Sequence, residues 1–424
     1  VRRLAAVDAQ TWWMSAKLPN DQFLLYGFDG DAGDLGAALD EVRARAERCP
    51  DLALRVEDDC RLVYPAWAPR PVTDDQFVVH DLGGPTWNEC LDAVSALAAD
   101  QLDTTTATWR LHVYPHVHDV PRGAGTGVVA VLQIAHALAD GIRSSALAAW
   151  LFGRGSPIDP IPSTRFPTAA LPLRAVQAAR AHRRLVADEA SGAVPLQAPA
   201  RPVLASNSAP AGARWVRTIV RDRTEIPGPT VTVGVLSAIS TALSVHLRMC
   251  GEDPSALGAE VPMAKAGPRL ARNHFGNVGI GLYPDLGVDE RIARIVDDFA
   301  QRRVRAAHPG LVTAGRAFAA TPAPLLRWGV AQFDPTLRSP VATGNTVVSS
   351  VNRGEADLRL GAAPVVVTAG YPALSPMMGL THGVHGIGDT VAVSVHTAES
   401  AIGGEDALDA YVERLGSGIA ALGG

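Results

Sequence analysis

His136, Asp140 and Gly141 fall in the segment Ala135-His136-Ala137-Leu138-Ala139-Asp140-Gly141, and their types and spacing suit proton transfer. A histidine near its ordinary pKa of about 6.5 takes a proton from a hydroxyl or an amine at neutral pH. Asp140 can fix the loop by a hydrogen bond or an ion pair, and with it the direction of the imidazole. Gly141 permits a close backbone approach or a positive φ that a side chain would block. The chemistry read from these residues is general-base catalysis by His136. A buried histidine held by a nearby aspartate for structure alone is the other reading of the same pattern.

The elements that must position them come next. Residues 127–134 form an apolar run that reads as a strand leading directly into His136, and 142–152 have the spacing of a helix. The order is therefore strand, histidine-bearing turn, helix, with the helix directing its free N–H groups at the turn. Upstream, 22–28 read as a strand ending in the turn Asp29-Gly30, 35–48 and 87–100 as helices, and 109–114 as a strand. Residues 153–213 differ in composition. Pro157, Pro160, Pro162, Pro167 and Pro172 precede a basic helical segment at 174–187 and a Pro/Ala/Ser stretch at 195–210. This reads as a crossover between domains, its helix too poor in bulky apolar residues to lie on a membrane. Strands are expected at 215–220, 278–283, 345–351, 364–369 and 390–396, with helices at 232–248 and 406–415, the last stopped by Gly416. The division is 1–152, 153–213 and 214–424, an α/β chain of two related layers.

Whole-chain properties narrow the classes. A length of 424 residues, with 47% apolar and 19% charged, suits two cores rather than one. A net charge of −5 gives no strong attraction to nucleic acid or to an anionic membrane. Of the 38 basic residues only Lys17 and Lys265 are lysines, a mark of GC-rich coding. Local arginine clusters still suit the phosphates of a carrier such as coenzyme A. Cys49, Cys60, Cys90 and Cys250 lack metal or redox spacing, and free thiols in a reducing cytoplasm are expected. No secretory signal is expected from the N-terminal residues. The uncharged stretch 230–247 carries Ser, Thr, Gly and His, so no transmembrane segment is expected. No metal is expected either. His112, His116 and His118 flank Pro115, and His382 and His385 run into a glycine-rich hairpin turn. The chain has no GxSxG elbow, Walker A loop or GxGxxG after a strand, which excludes the usual serine hydrolase, NTPase and dinucleotide patterns.

The segment from Ala135 to Gly141 resembles the HHxxxDG signature of the acyltransferase superfamily. That superfamily contains chloramphenicol acetyltransferase, peptide-synthetase condensation domains and the bacterial wax ester synthase/diacylglycerol acyltransferases. His136 aligns with the catalytic second histidine, Asp140 with the mainly structural aspartate, and Ala135 replaces the first histidine. Further segments resemble the wax ester synthase branch in the same order: Leu102-Asp103 with Trp109; 272–278 leading to Leu282-Tyr283-Pro284; 348–354; and Tyr371-Pro372 with Ser375-Pro376. The branch's TVND segment stands here as Thr230-Val231-Thr232-Val233, and Asn352 and Arg353 interrupt its proline-containing turn.

The resemblance implies two chloramphenicol-acetyltransferase-like α/β sandwich domains with the active site at their interface. It implies direct acyl transfer from acyl-CoA or an acyl carrier protein to a small alcohol or amine, with no cofactor beyond the thioester co-substrate. Thr232, Asn277, Ser349 and Ser350 are the candidate oxyanion or tunnel residues. A monomer supplies both domains. The altered segments point to a specialised acceptor, such as a natural-product alcohol or amine. The alternatives are a condensation or cyclisation enzyme acting on a carrier-bound intermediate, and a non-catalytic binding member of the same fold.

Overall fold

The apolar run before His136 becomes the Gly127–Ile134 strand, buried on both faces. Val128, Ala130, Leu132 and Ile134 enter one core, while Val129 and Val131 enter another on the opposite side of the sheet. A strand covered on both faces reads as continuous apolar sequence rather than as alternation. The structure, a computed structural model, describes residues 2–162 and 168–422; Pro167 of the expected crossover lies outside the described residues.

Two six-stranded mixed sheets organise the chain. The first runs in the order Arg359–Leu360, Ala363–Gly370, Gln22–Asp29, Gly127–Ile134, Trp109–Val117, Phe77–Val79. The second runs Phe275–Gly281, Gly258–Ala264, Thr346–Asn352, Leu380–Ile387, Thr390–Ala398, Arg214–Asp222. On the first sheet the Leu35–Glu47 and Gly141–Leu151 helices close one core, where Tyr26, Phe28, Trp109 and Phe152 are fully buried. On the second, the Val231–Met249 and Glu405–Ala421 helices close another. Val231–Met249 is long and apolar enough to cross a membrane, but most of its residues are buried in that core.

Several expectations are corrected. Ala363–Gly370, placed by sequence in the second half, pairs antiparallel with Gln22–Asp29 and so belongs to the first sheet. An apolar strand carries no local mark of which sheet it will join. The closing helix does not stop at Gly416 but continues to Ala421. Further along, a Cβ at Gly418 would sit 3.4 Å from the carbonyl of Ala238, where this helix packs on Val231–Met249. Within the crossover, the Leu171–Ala190 helix docks on the second half. His308 Nε2 lies 3.1 Å from Asp188, Arg305 pairs with Glu189, and Gly310 lies under Ala181 and Leu185. His382 and His385 are buried within the Leu380–Ile387 strand, and the hairpin turn beyond them is Gly388-Asp389.

Candidate active site

The turn holding His136 is built by short-range bonds. Leu138 N–H donates to the carbonyl of Ala135 at 2.8 Å, and Ala135 N–H to Thr108 at 3.0 Å. Asp140 then caps the following helix, accepting from Arg143 N–H at 3.0 Å. Its other oxygen accepts from Arg269 Nη1 at 2.7 Å and from His274 N–H at 2.9 Å. Both Asp140 oxygens are thus engaged, and they tie the motif to the 269–274 loop of the second half. Gly141 is not in the left-handed region. A Cβ there would lie 3.3 Å from Val351, so what approaches is a side chain of the second half.

His136 is half-buried, its ring stacked on Phe275 with centroids 5.6 Å apart. Nδ1 is buried and makes no hydrogen bond of good geometry, which leaves Nε2 as the nitrogen facing open space. Burial pulls the imidazole pKa below its ordinary value. The residue's own carbonyl, the Asn273 amide and the Asp140 charge work against that shift. His136 is thus held neutral at physiological pH, the form a general base needs.

Residues to which the sequence gives no role hold the backbone of the His136 turn from behind. Asn273 Nδ2 donates to the His136 carbonyl at 2.9 Å and to Asp8 Oδ1 at 3.0 Å. The buried carboxylate of Asp8 also accepts from the backbone N–H groups of Arg272 and Asn273, at 3.0 and 2.9 Å. Beneath the motif, Asp51 pairs with Arg143 and with Arg272, and Arg272 reaches the Leu138 carbonyl at 3.2 Å. Burial opposes ionisation of Asp51, but the two guanidiniums prevail and hold its carboxyl below the usual range. No local spacing could reveal partners 92 or more residues away. The only signal was that 272–278 fell in a segment of family resemblance.

Three cavities meet at His136. One, of about 560 Å³, is lined by Thr230, Thr232, Val261, Phe275, Ser349 and Ser350. A second, of about 380 Å³, lies among Trp12, Trp13, Thr104, Ala135 and Arg327. These two have no wall residue in common except His136. A third, of about 250 Å³, adjoins both and includes Gln22, Ser145, Ser349 and Arg353. The structure brings Thr232, Ser349 and Ser350 to the same cavity as His136, with Thr232 Oγ1 2.7 Å from Ser350 Oγ. Ser349 lines two of the three cavities and makes no side-chain hydrogen bond among the described residues. Asn277 lines the third, with its amide donating to Glu260. The three histidines at 112–118 do not converge. His112 is buried between His80 and Gln133, each at 3.0 Å. Among the described residues no His, Cys, Asp and Glu cluster could hold a metal.

The sequence matches no family model and no curated protein. Solved structures do match over the whole chain. The wax ester synthase/diacylglycerol acyltransferase from Marinobacter aquaeolei VT8 is 18% identical, with a TM-score of 0.64 and 99% of each chain covered. The starter condensation domain of rhizomide synthetase RzmA, as a variant crystallised with C8-CoA and Leu-SNAC, is 14% identical. It has a TM-score of 0.58, covering all of this chain and 94% of that one. A second variant, with C8-CoA alone, gives 0.59 at the same identity and coverage. From end to end, the chain has the two-domain chloramphenicol-acetyltransferase-like fold of these proteins.

Proposed function

We propose that this chain is an acyltransferase that moves an acyl group from a thioester to a hydroxyl or amine, with His136 as general base. The observation that carries the reading is that two cavities with otherwise separate walls meet at one imidazole. That arrangement suits a reaction in which two substrates approach a single proton acceptor from different sides. The C8-CoA and Leu-SNAC of the rhizomide condensation domain support a thioester donor, either acyl-CoA or an acyl carrier protein.

In the reaction, Nε2 takes the proton of the acceptor O–H or N–H as its lone pair attacks the thioester carbonyl. The tetrahedral oxyanion collapses, the C–S bond breaks, and the imidazolium returns the proton to the departing thiolate. Ester or amide and free thiol leave, and the enzyme regains neutral His136 without an acyl-enzyme. Ser349, its hydroxyl uncommitted in a cavity that His136 also lines, serves as the oxyanion donor. Asp140 acts through the loop and does not touch the reacting atoms.

The test is thiol release from short- to long-chain acyl-CoA thioesters with pooled alcohols and amines, with products read by mass spectrometry. His136→Ala should lose about three orders of magnitude or more of acceptor-dependent release while keeping its unfolding midpoint. Equal turnover by that variant would remove the base assignment. No release by the wild type with any CoA donor would leave carrier-protein donors as the arm to test.

A further inference from the structure

The third cavity holds a charge that the mechanism above does not use. Arg353 is only 4% exposed, yet among the described residues it forms no ion pair. Its Nη1 donates to the Leu25 carbonyl at 3.2 Å and to Thr368 Oγ1, and the guanidinium lies 4.9 Å from the centroid of the Tyr26 ring. Nε is buried without a hydrogen bond. Beside it stands His385, 6% exposed, whose Nδ1 is also buried and unpartnered. A single point above Gly370, where a Cβ would be, lies 3.0 Å from Arg353 Nη2 and 3.0 Å from His385 Nε2. The two side chains are therefore direct neighbours, packed over a glycine that leaves them room, and both line the cavity that includes His136 and Ser349.

A buried guanidinium cannot shed its proton to escape the cost of desolvation, so it calls for a compensating negative group. Burial lowers the Arg353 pKa, but a guanidinium in a protein does not give up its proton in the ordinary pH range. Burial first, and then Arg353, hold His385 well below the ordinary histidine range, so the imidazole beside the cation is a neutral hydrogen-bonding group. Among the described lining residues the only acid is Asp21. Its carboxylate accepts from Leu102 N–H and Gln133, and burial pushes its pKa up to about 6. It does not neutralise Arg353. This residue also stands where the sequence departs from the wax ester synthase pattern.

We propose that Arg353, with His385 beside it, forms a carboxylate-binding subsite in the His136 cavity, so that one of the two substrates carries a carboxylate. The inference rests on the acyl-transfer reading of the cavity and names the substrate class. The carboxylate can belong to the acceptor, as in a hydroxy acid, or to the acyl chain, as in a dicarboxylic thioester. A guanidinium paired with a carboxylate discriminates against a neutral isostere by about tenfold to a hundredfold.

Matched pairs test it. As acceptors, α-hydroxyoctanoate is compared with its methyl ester, using octanoyl-CoA. As donors, suberyl-CoA is compared with octanoyl-CoA, using octanol. In one pair the wild type should favour the carboxylate by tenfold or more in kcat/KM, and the pair that responds identifies the bearer. Arg353→Met should bring that ratio toward one, and Arg353→Lys should leave it intermediate. Equal use of both members of both pairs, or a preference that survives Arg353→Met, overturns the subsite while leaving acyl transfer intact. If no pair turns over, calorimetric titration of the wild type with α-hydroxyoctanoate and suberate decides. Binding of either that exceeds its methyl ester tenfold supports the subsite, and binding no tighter than the ester overturns it. This readout does not require the variant to fold.

Discussion

At the scale of single residues, the distinction is between the group proposed to move a proton and the groups that hold its turn in place. His136 and Asp140 are four residues apart on one turn, so their pairing is local and could be read from the chain. Asp8, Asn273, Arg269 and Arg272 arrive from distant segments, and nothing about their spacing announces them. Asn273 is the positioning residue with the clearest consequence, because it bonds the His136 carbonyl and raises the basicity that burial lowers. In the wild type the acid limb of kcat/KM should fall below pH 6.5, since His136 is neutral until protonated at its depressed pKa. Asn273→Ala removes a group that stabilises the imidazolium, so the limb should move to still lower pH. Rates on the plateau should fall by about tenfold to a hundredfold as the ring loses its fixed direction. A pH profile of the variant checks both. An unchanged limb with a lowered plateau would reduce Asn273 to a structural role.

Among the elements, existence and type were legible wherever the apolar pattern was long, as in the Gly127–Ile134 strand and the helix after it. Ends were less legible, because the same residue serves different purposes. Gly416 suits a helix stop by type, but here it lies inside Glu405–Ala421, where a glycine costs backbone entropy without supplying a turn. A Cβ at Gly416 would come no nearer than 3.5 Å to Arg221 and 3.9 Å to Ile219. Gly416→Ala should therefore stabilise the fold by about 0.5–1 kcal/mol. Gly418 is different, since three atoms of Ala238 lie 3.4 to 3.6 Å from its Cβ position. Gly418→Leu should destabilise by about 1–3 kcal/mol through overpacking at the helix crossing. Denaturant midpoints of the two variants should move in opposite directions. Midpoints that fall together would mean that the crossing tolerates no added volume at either site.

The whole molecule is less divisible than its sequence suggests. The proline-rich crossover invites a picture of two beads on a string, and composition alone supports it. The structure interlocks the halves instead. Ala363–Gly370 returns from the second half to lie beside Gln22–Asp29, with Thr368 opposite Tyr26 and Gly370 opposite Leu24. A third core joins Trp87, Leu91 and Tyr114 of the first half to Val216 and Ala392 of the second. At the rim, Arg217 meets Asp92, Glu405 and Asp409, carboxylates exposed enough that the pairs add little beyond alignment. Which sheet a strand joins is a property of the assembled chain, and for that reason it could not be read locally. The candidate site inherits this dependence, because His136 comes from the first half while Phe275, Ser349 and Asn273 come from the second. Chain continuity through the crossover should then be dispensable once folding is complete. Gly192 sits in an exposed turn with nothing within 4 Å of its Cβ position, so a protease site inserted there is accessible. After cleavage the two fragments should co-elute on size exclusion, unfold in one thermal transition, and keep the uncut protein's thiol release. Fragments that separate without denaturant would show that the shared strand and the third core are too weak to hold the halves together. The site would then need the covalent link to stay assembled.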